Sequence, residues 1–176
     1  MSSTFSLETS RLRLRPVDAG DVDEMVALHE DPLVARFMGV RDRDWYEARV
    51  EASAEEWAQR GHGLTAVLAR GDGRFLGRTG FKYWPQFGET ELGWVLRSEA
   101  RGQGFATEAA GAVLRWGLER FAPPYFTAMI RPDNVASIAV AERLGMQPIR
   151  RDELHGDPVT IYASGPAAPP PVRLTA

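Results

Sequence analysis

The sequence predicts an α+β fold: a central mixed, mostly antiparallel sheet carrying helices. Three observations lead there. Short alternating runs between Leu64 and Leu96 are separated only by tight turns, the pattern of an antiparallel meander. The last run is followed by a long amphipathic helix and then by a further strand, Tyr125 to Ile130. A strand–helix–strand passage of that length suits a right-handed parallel crossover. The chain has 176 residues, 44% hydrophobic and 26% charged, which is one domain with material for a sizeable core.

Taken in order, Leu12, Leu14 and Pro16 alternate with Arg11, Arg13 and Arg15, so the first strand has one solvated face. Asp18 to Asp21 turns into a helix with the stripe Val22, Met25, Val26 and His29. Asp31 as N-cap and Pro32 in the first turn start another, bearing Val34, Phe37 and Met38. A third helix runs from about Asp44 to Arg60 and stops at Gly61. Its aromatics Trp45, Tyr46 and Trp57 are open to two readings, core or the mouth of a substrate site.

Leu64 to Leu68 is a strand, and Arg70-Gly71-Asp72-Gly73 a hairpin turn, because Asp-Gly accepts positive φ. Phe75 to Trp84 is its partner, Pro85 to Gly88 the next turn, and Glu89 to Leu96 the following strand. There Leu92, Trp94 and Leu96 alternate with Glu91, Gly93 and Val95. In the long helix Phe105, Ala109, Ala112, Val113 and Trp116 recur at helical spacing. Gly111 and Gly117 lie inside it, each at a cost of ~1 kcal/mol against alanine; close packing on the sheet explains them. Pro132-Asp133-Asn134 opens the last helix, Gly145 closes it, and Gln147 to Arg151 with Val159 to Tyr162 form a final hairpin. Residues 1–163 read as the domain. Residues 164–176 read as a Pro/Ala-rich tail, expected to be mobile and dispensable because Pro166, Pro169, Pro170 and Pro171 forbid regular structure.

Composition narrows the function. A net charge of -3 gives no sign of nucleic-acid binding. The absence of cysteine removes disulfides, thiolate catalysis and Cys-based metal sites. The three histidines, His29, His62 and His155, are far apart in sequence, so no metal site is expected. No apolar run reaches membrane-span length and Met1 to Leu7 lacks a signal core, so a cytoplasmic location is expected.

The informative stretch is Glu91 to Phe121: a strand, a charged glycine-containing turn, then a helix N-terminus. The first N–H groups of a helix have no internal partner, and the dipole adds partial positive charge there. Gly102 and Gly104 let a ligand approach the backbone, and Arg101 adds charge, so the turn can bind an anion such as phosphate. It is also readable as a plain tight turn. A P-loop would need Lys and Ser/Thr after Gly104, where Phe105 stands. A dinucleotide fingerprint would need Gly or Ala at Thr107.

The string Arg101-Gly102-Gln103-Gly104-Phe105-Ala106 does fit the pattern Q/R-x-x-G-x-G/A. It resembles the acyl-CoA pyrophosphate loop of the GNAT superfamily of N-acyltransferases. LETSRLRLRP, EDPLVARFMG, ELGWVLRSEARGQGFATEA and RPDNVASIAVAERLGM resemble its RimJ/RimL-type branch, which acetylates ribosomal-protein N-termini. The resemblance covers roughly Leu7 to Tyr162. It implies a sheet with a splayed strand pair, helices on both faces, and acetyl-CoA as acyl donor without a metal. It implies that Trp94, Val95 and Leu96 pair with the pantetheine amides. The loop Gly102, Gln103, Gly104, Phe105, Ala106 and Thr107 would hold the pyrophosphate, braced by Arg101. Asn134, itself a plausible N-cap, would bond the pantetheine arm. Many members carry a tyrosine seven residues after this asparagine as acid for the departing thiolate. Here that place is Ala141, and Ser137 is the implied alternative.

The acceptor implied is a primary amine, most of all a peptide or protein N-terminus, attacking directly in a ternary complex. An N-terminal amine has a pKa of about 8 and a lysine about 10.4, so a base is needed. Glu91 is the first candidate, on the strand face away from Leu92 and Trp94; Glu153 and His155 follow, and Glu108 suits the helix dipole better than chemistry. Two other readings stand beside this one: a non-catalytic acyl-CoA-binding module, and an enzyme for a small-molecule amine. A homodimer is left open.

Overall fold

The computed structural model describes residues 5–172. Strands β1 (Leu7–Glu8) and β2 (Leu12–Pro16) open the chain, followed by helices α1 (Val22–Glu30), α2 (Pro32–Met38) and α3 (Arg43–Arg60). The meander is β3 (Leu64–Ala69), β4 (Phe75–Trp84) and β5 (Glu89–Leu96). Helix α4 (Phe105–Phe121), β6 (Phe126–Ile130), α5 (Val135–Arg143), β7 (Gln147–Leu154) and β8 (Asp157–Ser164) complete it. One sheet results, in the order β1-β2-β3-β4-β5-β6-β8-β7. Every neighbouring pair is antiparallel except β5 with β6, the parallel join made by the α4 crossover.

Each face is buried by helices, as the two periodicities require. Phe81, Leu92 and Leu96 lie under Ala109, Ala110 and Val113 of α4. Leu64, Ala66 and Leu68 point the other way, onto Met25 and Leu28 of α1 and Tyr46 and Val50 of α3. Gly117 explains itself: a Cβ there would stand 2.5 Å from the Phe81 ring, so only glycine lets α4 come this close to β4. Of the α3 aromatics, Tyr46 is wholly buried and Trp57 donates its indole N–H to the Leu64 carbonyl at 3.1 Å. Trp45 is exposed at the rim of the cleft described below, so the two readings divide between residues.

The final hairpin is longer than the sequence suggests, turning at His155–Gly156 with φ of 53° and 86°, a two-residue turn of the hairpin kind. Its polar half hid the strand: Arg150 faces β5 and binds Glu89 with two 2.8 Å bonds. Strand β1 has two residues, too short for any alternation to show. No described helix is long and apolar enough to cross a membrane.

The proline-rich stretch is tied down through Val172. The Ala167 N–H donates to the Pro124 carbonyl at 2.9 Å and the Val172 N–H to the Pro148 carbonyl at 2.7 Å, while Ala168 packs on Ile149 and Val159. Proline forbids regular structure but not irregular docking by the residues between, which keep their donors. Residues 173–176 lie outside the described residues. A chain ending at Ser164 loses both bonds. Taking about 1 kcal/mol net for each and 2–4 °C per kcal/mol, its thermal midpoint is expected to fall by roughly 4–8 °C. An unchanged midpoint would show that this docking adds nothing.

Candidate active site

The site begins where the sheet comes apart. β4 and β5 are matched over eight residue pairs, from Gly77–Leu96 to Trp84–Glu89. β5 and β6 are matched at one, Glu91 with Thr127, and then diverge. From Leu92 to Leu96 the edge of β5 therefore has no strand beside it on that side, and its backbone groups are free to meet an extended ligand. A continuous cleft of about 1770 Å³ runs through the gap and opens on both faces of the sheet. That exceeds the ~300–1,000 Å³ of a typical single-ligand pocket and leaves room for two substrates.

On the α4 side the cleft is walled by Trp94, Val95, Leu96, Phe105, Ala106 and Thr107, with Asn134 and Ser137 from α5 opposite. Gly102 and Gly104 have φ of 72° and 79°, and the left-handed Gly104 is the N-cap of α4, so no side chain caps that helix. The consequence is chemical: among the described residues the backbone N–H groups of residues 102–107 have no acceptor. Six donors at a positive helix end suit a pyrophosphate. The indole N–H of Trp94 is also buried without a partner, in the same gap.

Arg101 donates to the Leu33 carbonyl at 3.3 Å and so links the loop to α2 across the mouth. Gln103 does not line the cleft. Its amide donates to the Glu99 carbonyl at 3.0 Å and its own carbonyl accepts from Arg11 at 2.8 Å, so it shapes the loop. Arg11 also meets Glu108 at 2.7 Å and stacks 4.3 Å above the Phe105 ring. Burial raises the Glu108 carboxyl, but the Thr9 hydroxyl and Arg11 outweigh that and hold it below the usual carboxylate range. Glu108 is thus a clamp from α4 onto the β1–β2 turn, more than a partner of the helix dipole. Nothing local in the sequence points from residue 108 to residue 11.

Asn134 caps α5: its Oδ1 accepts from the Ser137 N–H at 3.2 Å, which leaves its amide NH₂ uncommitted, and the residue lines the cleft. Ala141 is fully buried against Ala128, Ile130 and Met146, so that place belongs to the core. Ser137, one turn nearer the helix start, does line the cleft.

The other half lies on the opposite face of the sheet. Its floor is Arg78, Gly80 and Lys82 of β4 beside Glu91 and Gly93 of β5, and Arg49 and Trp45 of α3 stand over it. Above Gly93 a Cβ would meet nothing within 4 Å, so the centre of the floor is open. Glu91 sits at the one point where β5 and β6 join. Its Oε2 accepts from the Trp84 indole N–H at 2.6 Å and its Oε1 from the Met129 N–H at 3.4 Å. Loss of water pushes its carboxyl above the usual range, against the pull of those donors and of Lys82 and Arg78. His155 reaches the cleft and packs 5.8 Å from Trp84, whereas Glu153 lies exposed outside it.

Trp84, whose indole holds Glu91 by that bond, was passed over as a site residue in the sequence reading. The signal was present: across the Pro85–Gly88 turn, strand alternation puts Trp84 and Glu91 on one face.

Comparison with known proteins fits this geometry. The model of the acetyltransferase (GNAT) domain matches residues 11–147. YkkB of Bacillus subtilis is 29% identical over 168 residues, 92% of this chain and 96% of its own. An acetyltransferase from Agrobacterium tumefaciens superposes with a TM-score of 0.81 at 29% identity, over 93% of this chain and 96% of that one. The ribosomal L7/L12 α-N-protein acetyltransferase RimL, solved with coenzyme A, shares the fold at a TM-score of 0.77 and 21% identity, over 93% of this chain and 100% of that one. The family match takes in β5, the glycine loop and α5 together, and the chain belongs to the acetyltransferase (GNAT) family of acyl-CoA-dependent N-acyltransferases.

Proposed function

We propose that the protein moves the acetyl group of acetyl-CoA to the N-terminal amine of a peptide or protein, with both substrates bound at once. The observation that carries this reading is the cleft itself, which passes through the sheet between β5 and β6 and so admits donor and acceptor from opposite faces. The resemblance of four separated segments to the RimJ/RimL-type branch favours a peptide N-terminus among the amines.

Acetyl-CoA supplies a thioester, whose carbon–sulfur bond breaks as the carbon–nitrogen bond forms. This chain holds and orients it. The N–H groups of residues 102–107 receive the pyrophosphate, the free edge of β5 at Trp94 to Leu96 pairs with the pantetheine amides, and Asn134 donates to the same arm. Glu91 takes a proton from the incoming ammonium group, directly or through one water. Its raised pKa makes it a better proton acceptor than a solvated carboxylate, and Trp84 and Met129 fix its direction. Ser137 donates to the departing sulfur. Among the described residues its hydroxyl has no hydrogen-bond partner, and the residue lines the cleft.

Because water can replace a hydroxyl, Ser137→Ala is expected to lower kcat by only about 3- to 10-fold, with acetyl-CoA affinity unchanged. A kcat equal to wild type would remove Ser137 from the reaction. The reading as a whole is tested by incubating the protein with acetyl-CoA and N-terminally free peptides. Mass spectrometry should find one acetyl group on the α-amine. Acetylation only of side-chain or small-molecule amines would move the enzyme out of the N-terminal class.

A further inference from the structure

Among the described residues, the acceptor half of the cleft carries more positive than negative charge, and its cations make no close, hydrogen-bonded ion pair. Arg78 and Lys82 alternate along β4 on the face of Glu91, and Arg49 descends onto them from α3. These three cations share two carboxylates, Glu91 and Glu56, and bond to neither at normal hydrogen-bond length. Glu91 spends its two bonds on Trp84 and Met129. Arg49 is 3.9 Å from Glu56. Lys82 rests 3.5 Å above the Trp84 ring. Among the described residues Arg78 has one polar side-chain contact, His29 Nε2 at 3.4 Å, and its own Nε is buried without a partner.

Elsewhere this protein pairs its half-buried arginines well: Arg15 grips Asp21 with bonds of 2.7 and 2.8 Å, and Arg150 grips Glu89 with two of 2.8 Å. The contrast is therefore local to the cleft. Desolvation lowers all three groups, Arg78 to about 10, and repulsion from Arg49 adds to it at Arg78 and Lys82. His29, kept neutral by burial and by Arg78 with a pKa of about 4, offers that arginine no charge. Unpaired charge held away from water is costly unless an opposite charge arrives. Arg41, at the mouth of the cleft, adds a fourth cation, which donates to the Val40 carbonyl and, among the described residues, meets no carboxylate. On the far rim Asp157 is engaged by Arg131, which also meets Asp133 outside the cleft.

We infer that the acceptor carries a carboxylate close to its reactive amine, and that Arg78, Lys82 and Arg49 receive it while Glu91 faces the amine. This rests on the proposed acetyl transfer and narrows its substrate. The amine and the carboxylate of one molecule would then lie over Glu91 and the cations respectively, with the open floor at Gly93 between. Polyamines and other polycations are rejected by the same field. Two sources supply the chemistry: the α-carboxylate of a free amino acid, or an acidic side chain within the first two residues of a peptide.

The test is a comparison of kcat/KM at saturating acetyl-CoA for matched acceptors. One arm pairs peptides with Glu or Gln at the second position; the other pairs free amino acids with their amides. In at least one arm the acidic member is expected to be favoured about tenfold or more. A preference confined to peptides assigns the carboxylate to a side chain, and one confined to free amino acids assigns it to the α-carboxylate. Arg78→Gln and, in case that variant does not fold, Lys82→Gln should shrink the ratio several-fold, with acetyl-CoA affinity confirming the fold. Equal turnover of acidic and neutral acceptors overturns the inference and leaves acetyl transfer standing. No turnover of any acceptor overturns the proposed function, and the inference falls with it.

Discussion

Glu91→Gln is expected to lower kcat by about 100- to 10,000-fold near neutral pH, the usual worth of a general base, with acetyl-CoA affinity little changed. The carboxylate lies at the single residue pair joining β5 to β6, held by Trp84 and Met129 on the acceptor side. Glutamine keeps the shape and can still accept from one of those donors, but it cannot take a proton. Raising the pH should recover part of the loss, because more of the amine is then deprotonated without help. In the wild type, activity should fall on the acidic side as pH drops through the raised Glu91 pKa. Stability should move the opposite way. A carboxyl whose pKa is raised in the fold binds its proton more tightly there than in the unfolded chain. Its contribution is complete below the unfolded value and is lost as pH rises through the folded one. That slope should be absent in Glu91→Gln. A pH–rate profile of the variant matching wild type in height and shape would free Glu91 of the role and leave His155 as the next group in the cleft.

Gly104→Val is expected to weaken acetyl-CoA binding about tenfold or more, on the order of 1.4 kcal/mol. Two effects combine. At φ of 79° a β-branched residue is strained, so the turn into α4 opens and its N–H groups no longer converge. The new side chain also enters the space proposed for the anion; a Cβ there already stands 3.5 Å from the Arg11 guanidinium. Gly104→Asn separates them, since asparagine tolerates this backbone far better while still adding a side chain. Calorimetry should rank wild type above Asn and Asn above Val. An unchanged affinity in a folded Val variant would remove the pyrophosphate from this loop.

Periodicity placed most of the fold because most elements are locally self-declaring. β5 alternates, α4 carries a three–four stripe, and Gly61 and Gly145 end helices at positive φ. The same alternation put Glu91 opposite Leu92, and the caps put Asn134 at the head of α5. What escaped was made by pairs distant in sequence. Arg11 meets Glu108 across 97 residues, and Arg49 comes to Arg78 and Lys82 only after α3 has packed over β4. The docking of Ala167 and Val172 was masked by a composition that forbids helices and ladders yet permits isolated backbone bonds. Glu153 read as near the site because it precedes His155 by two residues, but on β7 it points away from the cleft.

The central claim is that the cleft through the sheet performs acetyl transfer rather than simply binding an acyl-CoA. The direct measurement is free thiol released from acetyl-CoA by the purified protein, with and without an amine panel of peptides, amino acids and small amines, alongside the mass of the acceptor. Thiol release should depend on the amine and equal the N-acetylated product mole for mole. Tight acetyl-CoA binding with no amine-dependent thiol release across that panel would contradict it and make the protein an acyl-CoA-binding module.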